Sequence, residues 1–326
     1  MTAQPINLGT GSHRVLPGLE VDQAAFDAAR LRLALPERLF NLEQLDCLYE
    51  EEAATLWTFM RPHGRPSFNP AMLADFTKWQ EDIATAFGPT GVPLDFLVLG
   101  SRVPGVFCYG GDLDLFGSLI RSGDRAGLIR YGRACVEILH RNMACLDLPL
   151  ITIGLVQGEA LGGGWEALMS FNVVIAERGV KFGLPEIKFN LFPGMGAHAI
   201  LARKVGAAAA ERMIHSGEDY TAEQLHALGL VQVLAEPGEG VAAVRDYIAK
   251  QRKRLAGHIG SHRAMRMAKP VTLDELVAIV TEWADTALKL SDADLKMMRW
   301  IVNRQRRYEL PGDDPSDQAT RRLAGG

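Results

Sequence analysis

Two carboxylates, Glu166 and Glu186, sit in the segments of this sequence least suited to uninterrupted secondary structure. Glu186 follows Phe182-Gly-Leu-Pro185, and with Phe182, Leu184, Ile187 and Phe189 around it the carboxyl is expected in a partly desolvated place. Burial penalises the charged form, so such a glutamate titrates nearer neutrality and suits proton transfer at physiological pH. Glu166 closes the run Gly162-Gly163-Gly164-Trp165-Glu166. Three glycines in succession are costly inside a regular element, so the backbone there turns sharply or is closely approached. If the apolar residues after Gly164 begin a helix, the glycine amides lie at its N-terminus, where unpaired N–H groups attract negative charge and a developing oxyanion fits. A second pair, Gly110-Gly111, precedes Asp112 and offers another exposed amide. Two glycine turns, each after a buried strand and before a helix, can converge at one end of a parallel arrangement, as an oxyanion hole requires. Taken singly, each feature has a plainer explanation: Glu166 as a first-turn acid facing water, Glu186 as a loop residue or cap, the glycines as a packing turn, Asp112 as an N-cap.

Other chemistries fit less well. The glycine spacing is not the G-x-G-x-x-G of a dinucleotide site, and no Lys-Ser/Thr pair completes a phosphate loop. No G-x-S-x-G elbow is present, and the eight histidines are scattered, with only His198 near the motifs. Cys47, Cys108, Cys135 and Cys145 form no C-x-x-C pair and stand with no histidine at zinc-site spacing, so buried reduced thiols are expected and no metal site.

The elements that must position these residues alternate. Apolar runs at Leu94–Leu99, Leu150–Val156 and Asn172–Ala176 predict buried strands, with Thr55–Phe59 a shorter one. Asn69-Pro70 opens an amphipathic helix to Phe87, and helices are predicted over Asp112–Arg121 and Asp124–Ala144, the latter with Leu128, Tyr131, Cys135, Ile138 and Leu139 inward. Strands alternating with such helices mean an α/β fold. From Asp22 to about Phe59 the spacing of Phe26, Leu31, Leu35, Leu39, Leu45 and Leu48 predicts helices broken at Pro36. Beyond Pro193 the chain is mostly helical, with capping boxes at Thr221–Gln224 and Thr272–Glu275 and a similar start at Ser291 and Asp294. The organisation expected is an N-terminal arm and helices over 1–50, a core over 51–265, a C-terminal helical region over 266–310 and a polar tail over 311–326.

The 326 residues carry a net charge of −4, which excludes binding to nucleic acid through a basic excess. The first residues lack an apolar stretch behind a basic start, and the longest apolar run, Leu148–Val156, is too short to cross a bilayer; a cytoplasmic protein without membrane partners is expected. A basic cluster, Lys250, Arg252, Lys253 and Arg254, reads first as a solvated helix face.

Together, Gly110-Gly111-Asp112, Ala160-Leu-Gly-Gly-Gly-Trp-Glu166, Phe182-Gly-Leu-Pro-Glu186 and Phe192-Pro-Gly-Met-Gly196 resemble the enoyl-CoA hydratase/isomerase (crotonase) superfamily in order and spacing. The resemblance implies a spiral of ββα units with a C-terminal helical trimerisation region, giving a homotrimer or hexamer. It implies a substrate carried as an acyl carrier protein or CoA thioester, and no other cofactor. Carried over residue by residue, the oxyanion hole is Gly111 and Gly163 and the acid/base pair is Glu166 and Glu186, with Gly110, Gly162, Trp165, Met169, Leu184, Phe189 and Leu191 about the substrate. Within the superfamily the chain is most similar to the diffusible signal factor synthases, through Gly110-Gly-Asp-Leu-Asp-Leu-Phe116, Leu119–Ala126, Leu191-Phe-Pro-Gly-Met-Gly-Ala197 and Tyr220–Leu225. That likeness implies dehydration of a 3-hydroxyacyl thioester and hydrolytic release of a cis-2-unsaturated fatty acid. Hydration of a 2-enoyl-CoA is the alternative reaction, and a catalytically silent partner of a sensor kinase the alternative of another class. Trp165 before the first glutamate, and Ala197-His-Ala-Ile200 where ordinary hydratases carry a Gly-Thr-Gln-Arg-like run, depart from the housekeeping pattern.

Overall fold

The computed structural model describes residues 23–305. The predicted arm before Asp22 and the tail over 311–326 lie outside the described residues. Among the described residues there are ten strands: β1 (Leu45–Glu50), β2 (Thr55–Met60), β3 (Phe96–Ser101), β4 (Val106–Cys108), β5 (Ile151–Val156), β6 (Glu159–Leu161), β7 (Val173–Glu177), β8 (Lys181–Gly183), β9 (Asp219–Thr221) and β10 (Val233–Ala235). They divide into a six-stranded sheet, β1-β2-β3-β5-β7-β10, and a four-stranded sheet, β4-β6-β8-β9.

The division is a spiral of ββα units. A long apolar strand enters the large sheet, a tight turn follows, a three-residue strand joins the small sheet, and a helix or single helical turn returns the chain. β3 to β4, β5 to β6 and β7 to β8 repeat this step, and all pairings among these six are parallel within their sheets. Only β1 with β2 and β8 with β9 are antiparallel. Successive turns stack so closely that a Cβ on Gly158, between β5 and β6, would stand 2.1 Å from the Gly105 carbonyl carbon between β3 and β4. A side chain there would force the two layers apart.

Most predicted helices stand close to their expected limits, because their ends carry caps. Asn69 accepts from the Met72 amide to open Pro70–Ala86, Asp112 caps Leu113–Arg121, and Asp124 caps Arg125–Met143. Thr221 and Gln224 close a full capping box. At Thr272 the box is half made: Thr272 takes the Glu275 amide, but the Glu275 carboxylate instead pairs with Arg203 at 2.9 Å.

The helical reading of Asp22–Phe59 is corrected. Helix Gln23–Arg32 and a 3₁₀ turn at Glu37–Phe40 are present, but Leu45 and Leu48 belong to the hairpin β1–β2. Leu45, Cys47, Leu48 and Tyr49 are all buried, so β1 is covered on both faces and shows no period of two by which a strand is usually recognised. Beyond the core, helix Leu273–Ala287 packs on Arg125–Met143, while Asp292–Gln305 lies against Leu113–Arg121 and the turn Pro185–Phe189. The four cysteines are free and buried.

Candidate active site

The small sheet delivers the glycine turns to one place. After β4 the chain runs through Gly110-Gly111; after β6 it enters Gly162-Gly163-Gly164 and the short helix Gly163–Leu168. A Cβ on Gly110 would stand 2.4 Å from the Gly163 nitrogen, and one on Gly163 would stand 3.5 Å from the Gly111 nitrogen. The turns are therefore in backbone contact, which at Gly110 only glycine permits.

Each amide is aimed by the carbonyl of its own peptide plane. The Phe68 amide donates to the Gly110 carbonyl at 2.7 Å, which fixes the Gly110–Gly111 peptide and turns the Gly111 N–H the opposite way. Likewise the Gly162 carbonyl accepts from the Trp165 and Glu166 amides at 2.9 and 3.0 Å, leaving the Gly163 N–H directed backward out of the helix. Among the described residues neither N–H donates to a protein acceptor. Further clamps hold the first turn: Arg65 donates to the Gly111 carbonyl at 3.0 Å, and the Tyr131 hydroxyl donates to the Phe68 carbonyl while accepting the Asp112 amide.

The Glu166 side chain is buried at 1% exposure and its Oε1 accepts from the Met195 and Ala197 amides, at 2.8 and 2.9 Å. Those amides face the same way because Gly196 between them adopts φ +109°. Desolvation raises the Glu166 pKa to about 7, against the pull of the two amides toward the anion. Glu186 sits on the 3₁₀ turn Pro185–Phe189; the residue is half-buried, yet its Oε2 is enclosed and without a hydrogen-bond partner. Desolvation, and then the nearby Glu166 charge, raise its pKa to about 8. Its Oε1 leans over the glycine turn, 2.7 Å from where a Cβ on Gly162 would stand.

Both glutamates, Gly111, Gly162 and Gly163 line one mostly apolar cavity together with Phe189 and Leu191. Gly110 abuts it through the Gly163 backbone. Trp165 and Met169, expected along this pocket, face away: Trp165 stands about 100° round the short helix from Glu166, and both line a separate crevice, where Trp165 packs on Phe182 and Tyr220. Leu184 is fully buried in the core and is not part of the cavity wall. The sequence reading missed Phe116, Tyr131, Met195 and Trp283 as wall residues. The Phe116 ring lies 5.0 Å from Tyr131 and 4.9 Å from Trp283, centroid to centroid. Phe116 and Met195 stand inside the quoted motifs without a wall role being assigned to them, Tyr131 was legible only as part of an inward helix face, and Trp283, on a distant helix, had no local mark.

Two preorganised amides beside two desolvated carboxyls describe a site for proton transfer next to a carbonyl whose oxygen becomes negative. A family model for enoyl-CoA hydratase/isomerase matches residues 50–269, and the chain belongs to that family. Among curated relatives it is 29% identical over 201 residues to the mitochondrial methylglutaconyl-CoA hydratase of Rattus norvegicus, covering 61% of this chain and 62% of that protein. The human methylglutaconyl-CoA hydratase is 32% identical over 175 residues, 53% of this chain and 48% of that one. The chain thus matches about half to three-fifths of the length of these relatives. Of solved structures, an enoyl-CoA hydratase from Bacillus halodurans superposes with TM-score 0.67 at 17% identity, covering 79% of this chain and all of that one. DspI of Pseudomonas aeruginosa superposes with TM-score 0.58 at 23% identity, covering 71% and 90%. Among the described residues no helix is long and apolar enough to cross a membrane.

Proposed function

We propose that this chain eliminates water from a 3-hydroxyacyl thioester, carried by CoA or acyl carrier protein, and releases the product as a cis-2-unsaturated fatty acid. One observation carries the elimination: two buried carboxyls of unlike surroundings share a cavity with two unpaired, convergent amides. A thioester α-proton is too weakly acidic for a carboxylate in water. Amides already aimed at the carbonyl oxygen stabilise the enolate as it forms, by about 10²-fold or more for each donor.

The surroundings also divide the roles. Two N–H donors favour the anion at Glu166, whereas the enclosed Oε2 of Glu186 has none, so a proton shared between the two rests on Glu186. Glu166 then removes the α-proton, the enolate electrons form the α,β double bond, and the β-hydroxyl leaves as water with the proton from Glu186. Release of the acid is supported by the motif likeness to the signal factor synthases. The reverse reaction, hydration of a 2-enoyl-CoA, is the second reading, favoured by the hydratases among the relatives.

Incubation with 3-hydroxyacyl-CoA and with the same acyl group on carrier protein, followed by mass spectrometry, separates the readings. Free unsaturated acid supports the first and interconversion of thioesters alone the second; neither product overturns both. A trimer is proposed as the assembly, supported by helix Leu255–Ala268, which buries no residue and leaves Met265 and Met267 59% and 80% exposed. Sedimentation of the full chain checks it.

A further inference from the structure

The turn Gly110-Gly111 is held by a segment that belongs to neither sheet. Phe68, on the approach to helix Pro70–Ala86, forms an isolated parallel bridge with Gly111. In such a bridge one residue makes both hydrogen bonds, to the residues before and after its opposite number, and the opposite number's own N–H is left out of the pairing. Phe68 is the residue that pairs: its amide donates to the Gly110 carbonyl at 2.7 Å, and its carbonyl is placed to take the Asp112 amide. That second bond is not made directly. The Asp112 amide donates instead to the Tyr131 hydroxyl at 3.2 Å, and this hydroxyl donates to the Phe68 carbonyl. A phenol from helix Arg125–Met143 thus stands in the pairing as an inserted link.

Gly111 lies between two peptide planes. The plane before it carries its N–H and is fixed by Phe68 at the Gly110 carbonyl. The plane after it is fixed at both ends, since Arg65 donates to the Gly111 carbonyl at 3.0 Å and Tyr131 takes the Asp112 amide. Without a Cβ, Gly111 resists rotation little, so the angle between the planes, and with it the heading of its N–H, follows these partners. Tyr131 bears on both planes, through Phe68 on the first and Asp112 on the second. The residue is buried, and its ring lines the cavity and packs edge-on against Phe116 at 5.0 Å, so the oxygen has little freedom. Burial also pushes its pKa up, and the hydroxyl remains a donor across the physiological pH range.

We infer that Tyr131 is a positioning residue of the oxyanion hole: its hydroxyl, inserted between Phe68 and Asp112, sets the heading of the Gly111 amide toward the thioester oxygen. The inference rests on the acyl-thioester reading above and deepens it, bringing into the enolate-stabilising step a residue that stands outside the motifs carrying the glycines and glutamates. Without that oxygen, Phe68 and the turn close up or leave two buried backbone groups unpaired, and either way the amide turns. Stabilisation of a developing charge depends steeply on where the donor stands, so the loss falls on kcat rather than on affinity for the ground-state thioester.

The test is Tyr131→Phe in the full chain, which keeps the ring and removes one oxygen. Two readouts separate positioning from support of the fold. On a 3-hydroxyacyl-CoA, kcat is expected to fall about tenfold or more while KM stays within about twofold. A cinnamoyl-CoA carrying a para-dimethylamino group reports on the amides independently of turnover, because polarisation of its carbonyl moves its absorption to longer wavelength. That shift is expected to shrink in Tyr131→Phe with the binding constant nearly unchanged. A variant that keeps the full shift and the native kcat, whatever its stability, makes Tyr131 a packing residue and overturns the inference, while the thioester reading stands. No shift in the unaltered protein removes the polarising amides, and both fall. Should Tyr131→Phe not fold, 3-fluorotyrosine placed at 131 keeps the hydroxyl but makes it a weaker acceptor from the Asp112 amide; an unchanged shift and kcat there overturn the inference equally.

Discussion

Strands β6 and β8 are neighbours in the small sheet, and each runs into a turn bearing one of the two glutamates, yet the turns are held in opposite ways. After β6 the backbone is glycine-rich and threaded among other backbones, and Glu166 is gripped by two amides from the Pro193–Ala197 loop. After β8, Pro185 restrains a single 3₁₀ turn, and the enclosed Oε2 of Glu186 has no hydrogen-bond partner. Burial raises both pKa values and the Glu166 charge raises that of Glu186 further, while two amides from the Pro193–Ala197 loop pull Glu166 back toward the anion. Equivalent places in successive spiral turns thus yield unlike groups from one environment, which is what a dehydration needs of its acid and base.

The largest test of this contrast removes each ionisation in turn. Glu166→Gln and Glu186→Gln are each expected to lower kcat by about 10²–10⁴-fold on a 3-hydroxyacyl thioester, measured by product mass spectrometry. An unchanged rate in either would remove that residue from the mechanism. Next in size is the convergence of the glycine turns. Gly110→Ala places a Cβ 2.4 Å from the Gly163 nitrogen at φ +81°, whereas Gly105→Ala meets open space at φ +74°. Both carry backbone strain of about 1–3 kcal/mol. Only the first spreads the two amides, so kcat is expected to fall about 10²-fold in Gly110→Ala and to stay near the native value in Gly105→Ala. Equal losses would show that strain, not amide placement, sets the rate.

A smaller effect lies in stability against pH. Folding raises the Glu186 pKa from an ordinary glutamate value to about 8. The folded state therefore binds more protons than the unfolded chain between about pH 4.5 and 8, and stability is lost as pH rises through that window. Glu186→Gln has no such ionisation. Its stability in chemical denaturation is expected to rise relative to the native protein's between pH 5 and pH 9, by up to about 4 kcal/mol for the roughly three units between pH 5 and that pKa. A parallel pH dependence in both proteins would mean that Glu186 is not desolvated.

The same contrast explains what the sequence disclosed. The long strands β3, β5 and β7 are near-continuous apolar runs because helices or the second sheet cover both faces, and the capped helices announced themselves through Asn69, Asp112, Asp124 and Thr221. The small sheet did not: strands of three residues, such as Glu159–Leu161, are too short to show a period. The glycine turns and glutamates were legible because their residue types are unusual where they stand. The walls were not, since Phe116, Tyr131 and Trp283 meet only through the tertiary fold.

Trp165 gives the smallest and sharpest test of side-chain direction. It is adjacent to Glu166, so sequence proximity alone would place it at the substrate; helical geometry turns it instead toward Phe182 and Tyr220, both at 6.1 Å between ring centroids. Trp165→Phe keeps an aromatic ring in that crevice but loses part of the packed area, which predicts destabilisation of about 1–2 kcal/mol in chemical denaturation. Because no part of the indole reaches the catalytic cavity, KM and kcat are expected to remain within about twofold of native across acyl chain lengths. A change in chain-length preference would instead mean that the helix Gly163–Leu168 rotates when substrate binds, bringing the indole to the face that now carries Glu166.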